Sequence, residues 1–114
     1  MEQKMTMITE PTPLKLLMIT AIREDEVFIK DAFKKAGIAI YSSFDIQGHQ
    51  SKAHGNALTN WFAMPLPEMD ALLYFAFLPS EDAKTVVNLL KEVNAQDYSA
   101  HPIRSFIMEA MQAS

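Results

Sequence analysis

Leu14-Lys-Leu-Leu-Met-Ile-Thr-Ala-Ile-Arg23 runs directly into Glu24-Asp-Glu-Val-Phe-Ile-Lys-Asp-Ala-Phe-Lys-Lys-Ala36, and Gly37 follows. The first ten residues hold so few polar positions that they read as a strand covered on both faces. The period then changes. Ile29, Ala32, Phe33 and Ala36 fall at i, i+3, i+4 and i+7, one apolar stripe of a helix over Glu24 to Ala36. Glu24, Asp25 and Glu26 occupy its first turn and Lys34 and Lys35 its last, the order that the helix dipole favours. Gly37 is placed to end it in the left-handed conformation.

Working outward, Ile38 to Gln47 alternates over its second half, Phe44 and Ile46 against Asp45 and Gln47, which predicts a strand with one wetter face. No period holds from Gly48 to Asp70. Asp70-Ala-Leu-Leu-Tyr-Phe-Ala-Phe-Leu78 is a second almost wholly apolar run and reads as another buried strand. Pro79 breaks it, and Ser80 is a suitable N-cap for a helix to about Val93, with Ala83, Val86, Val87 and Leu90 as its stripe. Asn94 to His101 is a polar connection, and Pro102 to Ala110 offers a last strand. The expected organisation is an N-terminal tail (1–13), one domain (14–110) with a long connection at 48–69, and a short C-terminal tail (111–114).

The order strand, helix, strand, strand, helix, strand predicts an α+β ferredoxin-like βαββαβ sandwich. Its four-stranded antiparallel sheet carries two helices on one face. That topology puts the first and third strands at the centre, and those are the two runs with almost no polar residues. Two helices cover only one face of such a sheet. Yet the first strand sets Leu16, Met18 and Ile22 against Leu17, Ile19 and Ala21. The third sets Leu72, Tyr74 and Phe75 against Leu73 and Phe77. A bare face of this kind exceeds what soluble monomers expose, so a homo-oligomer is expected, the alternative being a tail folded back over the face.

Composition removes several classes of function. The chain has 114 residues, enough for one domain, and 49% of them are hydrophobic, a globular proportion. A formal net charge of −4 without any Lys/Arg block argues against nucleic acid as a partner. The absence of cysteine excludes disulfides, thiolate metal sites and cysteine nucleophiles. Neither a secretory signal nor a membrane span is legible, so a cytoplasmic location is expected. No arrangement of catalytic type emerges, and the acidic pairs Glu24–Asp25 and Glu81–Asp82 are explained as helix openings. The expectation is a protein that is not an enzyme.

Element order, Lys35-Ala36-Gly37-Ile38 between first helix and second strand, and Asp45-Ile46-Gln47-Gly48 leading into a long loop resemble the P-II-like signalling proteins over Leu14 to Ala110. Those are small ferredoxin-like domains that assemble as trimers with their sheets facing inward. The resemblance implies a homotrimeric regulatory module whose T-loop (48–69) responds to a small effector or metal ion. The loop would contact a regulated partner such as a membrane transporter. Trimeric metal-binding proteins of the CutA type share the architecture and supply the alternative, a divalent-metal-binding trimer without a protein partner. The chain departs from the family after Gly48, where Gln50, Ser51 and Lys52 replace a glycine, an arginine and a glutamine. It departs again at Asn94 to His101, which contains no glycine and so lacks the phosphate-cradling loop of family-type ATP/ADP binding.

The connection of about twenty residues is far longer than the usual four to six, and loops of that length are often functional. Within it, Gly48, Ser51 and Lys52 are the candidates for meeting a phosphate or carboxylate of a small effector. Met64, Pro65, Leu66 and Pro67 are the candidate partner-binding segment, while Trp61 and Phe62 read as the start of an extended third strand packed inside the trimer, the alternative being that they too dock on a partner. His49 and His54 are candidate ligands for a divalent metal, with His101, Glu68 or Met64, or symmetry copies, completing a site. The eight methionines read as packing and tail residues.

Overall fold

The computed structural model describes residues 13–47, 70–96 and 102–111. Strand β1 (Leu14–Ile22) leads through a 3₁₀ turn (Arg23–Asp25) into α1 (Glu26–Lys35). Then come β2 (Ser42–Gln47), β3 (Asp70–Pro79), α2 (Ser80–Gln96) and β4 (Arg104–Glu109). The sheet order is β2-β3-β1-β4 with every pairing antiparallel, so β1 and β3 are central, as the apolar runs require. Their shared register extends from Leu14↔Pro79 to Ile22↔Ala71.

Both helices lie on one face, over Leu17, Ile19 and Ala21 of β1 and Leu72, Tyr74, Ala76 and Leu78 of β3. They contribute Ile29, Ala32 and Phe33 from α1 and Ala83, Val86 and Leu90 from α2, the stripes that the sequence period predicts. Burial of each large apolar side chain here is worth about 1.5–3 kcal/mol, which is what fixes the helices to the sheet.

Helix α1 ends in a Schellman motif. Gly37 adopts φ 75°, its N–H donates to the Lys34 carbonyl at 3.0 Å, and the Ile38 N–H reaches back to the Phe33 carbonyl at 2.9 Å. Ile38 itself packs against the core. A second backbone clamp joins α2 to β4. The Asn94 amide donates to the Ile103 carbonyl at 2.8 Å, and its oxygen accepts from the Ile103 N–H at 2.9 Å. One side chain thus stands in for a strand partner at the entry to β4.

Several sequence expectations need correction. The predicted strand from Ile38 starts only at Ser42, because Ile38 and Tyr41 turn into the core and the β3 ladder is met first at Ser42↔Phe75. Residues 23–25 form a tighter turn before α1, and α2 continues to Gln96, beyond Val93. Helix α2 begins at Ser80 itself, directly after strand residue Pro79. Phe75 shares a face with Leu73 and Phe77, opposite Leu72 and Tyr74, as the two-residue alternation of a strand dictates.

The second sheet face is the one that no described helix covers. Across it the register aligns Phe77 with Leu16 and Met108, and Ser42 and Phe75 with Met18 and Phe106. Phe77 is 56% exposed, Phe44 49% and Met108 40%. Phe44 and Phe75 meet edge-on at 6.0 Å and Phe75 and Phe77 at 6.3 Å, so the aromatic rings form a continuous row. At one end of this face Thr20 is fully buried, and its hydroxyl has no hydrogen-bond partner among the described residues.

Candidate functional site

The final rung of the β2–β3 ladder is Gln47↔Asp70. Gln47 and Asp70, the residues that flank the connection in sequence, are therefore neighbours at one end of the sheet. Next to this point the chain leaves β1 at Arg23, whose guanidinium spans the end of β3 to bind Asp45 of β2 at 2.8 Å. The Asp45 hydrogen bond and charge raise the Arg23 pKa further, and Asp70 and Glu26 act in the same direction. The root of the connection is thus an acidic neighbourhood organised round one arginine. Both partners are substantially exposed, so the pair orients the strands more than it stabilises them.

Behind it lies a second polar element. The buried Tyr74 phenol donates to Glu26 Oε2 at 3.0 Å, and Lys30, one turn along α1, approaches the same oxygen at 3.3 Å. The Tyr74 hydrogen bond, followed by that of Lys30, lowers the Glu26 pKa. Burial, followed by the Glu26 hydrogen bond, pushes the Tyr74 pKa well above the usual tyrosine range. The Tyr74 ring also closes an aromatic trio: Phe33 and Tyr41 stack at 4.2 Å, with Tyr74 tilted against both. This trio anchors the segment that carries α1 into β2.

Beyond Tyr41 a shallow cleft of about 440 Å³ opens along the β3 edge. Because β2 starts at Ser42, residues Ala76 to Leu78 have no β2 neighbour, and the cleft lies between them and residues 37–42. Ile38, Ile40, Phe75 and Phe77 supply apolar walls, with Ser42 and Asp82 as polar groups. Its size falls in the range of small-molecule pockets.

The expected site residues Gly48, His49, Ser51, Lys52, His54, Met64, Pro65, Leu66 and Pro67 lie outside the described residues, as do Trp61, Phe62, Glu68 and His101. Among the described residues no group of three His, Cys, Asp or Glu side chains is placed to hold a metal ion. The sequence reading missed Arg23, Asp45 and the Tyr74–Glu26 pair. Arg23 ends an apolar run, and Tyr74 is a lone hydroxyl within one, so each carried a faint polar signal without indicating its partner.

This four-stranded antiparallel sheet with two helices on one face is the PII-like, ferredoxin-like fold. Solved structures that share it include CPII from Thiomonas intermedia K12, a nitrogen regulatory PII-like protein bound to ADP, AMP and bicarbonate. CPII is 17% identical, with 90% of this chain and 94% of that one covered and a TM-score of 0.61. A protein from Thermus thermophilus, described as a PII-like signalling protein, is 18% identical over 87% of this chain and 88% of its own, with a TM-score of 0.59. A DUF3240 family protein from Shewanella baltica is 15% identical over 90% and 96%, with a TM-score of 0.62. No protein-family model and no curated protein matches the chain. No helix among the described residues is long and apolar enough to cross a membrane.

Proposed function

We propose that this chain is a non-enzymatic regulatory module of PII-like type, a cytoplasmic homotrimer. Its connection at residues 48–69 would respond to a small effector and contact a regulated partner protein, such as a membrane transporter. The observation that carries the reading is structural. A PII-like sheet pairs an apolar face that no described helix covers, with Phe77 and Phe44 about half exposed on it, with a long connection rooted at Gln47↔Asp70; such a face suits burial against further copies. Regulation then requires only that the effector bind one conformation of the connection better than another.

Gly48, Ser51 and Lys52 remain the proposed effector contacts, and Met64 to Pro67 the proposed partner contacts. The cleft at the β3 edge is a further candidate for part of the effector site. CPII is bound to ADP, AMP and bicarbonate, which makes these the first ligands to try. The glycine-free stretch Asn94 to His101 argues that any nucleotide here is held differently from a glycine-loop site. The metal-binding alternative keeps the same assembly and differs at His49 and His54.

Native mass spectrometry of the full chain, alone and then separately with ADP, ATP, AMP, bicarbonate and Zn²⁺, tests the reading. A trimer that takes up one of these ligands per subunit supports it, and a monodisperse monomer overturns it. Uptake of Zn²⁺ alone, lost in His49→Ala/His54→Ala, selects the metal-binding alternative. Deletion of Ser51 to Leu66 should abolish partner capture and leave the trimer intact.

A further inference from the structure

We draw no further inference here: the strongest candidate, the apolar sheet face carrying Phe44, Phe75, Phe77 and Met108 beside the buried Thr20 hydroxyl, which has no hydrogen-bond partner among the described residues, belongs to the subunit interface already proposed, and nothing among the described residues shows what covers it.

Discussion

Phe77 gives the most direct test of assembly. It lies on the sheet face away from the helices and is 56% exposed. A phenylalanine presents about 200 Å² to solvent, so about 110 Å² of Phe77 remains to be buried. At about 25 cal/mol per Å² this is worth about 3 kcal/mol per subunit, roughly a hundredfold in association for each contact. Phe77→Asp removes that gain and adds the desolvation of a carboxylate, several kcal/mol more if the interface closes over it. Size-exclusion chromatography with light scattering should therefore show wild-type trimer and variant monomer at the same micromolar concentration. The helical core does not include Phe77, so the variant should keep the far-ultraviolet circular dichroism of the wild-type fold. Val27→Asp is the control. Val27 is 65% exposed on α1, in the opposite layer, and its replacement should leave the trimer intact. A Phe77→Asp trimer as stable as wild type would refute the assignment of this face to the subunit interface.

Asn94→Ala removes two hydrogen bonds and leaves the backbone N–H and carbonyl of the buried Ile103 without those partners among the described residues. It should cost about 2 kcal/mol, seen in thermal unfolding as a fall in Tm of roughly 10 °C. Gly37→Ala meets no atom within 4 Å, so its penalty comes from the left-handed backbone alone and should be about 1 kcal/mol in urea unfolding. The folded-state pKa of Glu26 is depressed chiefly by Tyr74, so their interaction contributes stability above the ordinary value of 4.5 and loses it as pH falls through the lower folded value. Tyr74→Phe should consequently destabilise most near neutrality and least in acid, and a pH-independent difference in urea midpoints would contradict that. Arg23→Gln should speed amide exchange at Asp45 to Gln47 with little change in Tm, because the lost ion pair is exposed.

The helix stripes were legible because periodicity is a local property. Ile29, Ala32 and Phe33, or Ala83, Val86 and Leu90, declare a buried face whatever lies opposite. The central position of β1 and β3 followed from their lack of polar residues, and the left-handed Gly37 from its place at the end of the α1 stripe. The start of β2 was not legible, since Ile38 and Ile40 look like strand residues. Their fate depends on where β3 offers a partner and on how Tyr41 stacks on Phe33.

The sequence by itself determined the element order, the two helical faces and the surplus of apolar surface on the sheet, because each depends on residues close together in the chain. Only the tertiary structure decided which groups meet across distance. Arg23 reaches Asp45 over the end of β3, Tyr74 finds Glu26 from the next layer, and Asn94 closes on Ile103 across the α2–β4 connection. Directional hydrogen bonds of this kind need relative positions set to within a few tenths of an ångström. That precision comes from the packing of helices on sheet, and no periodicity encodes it.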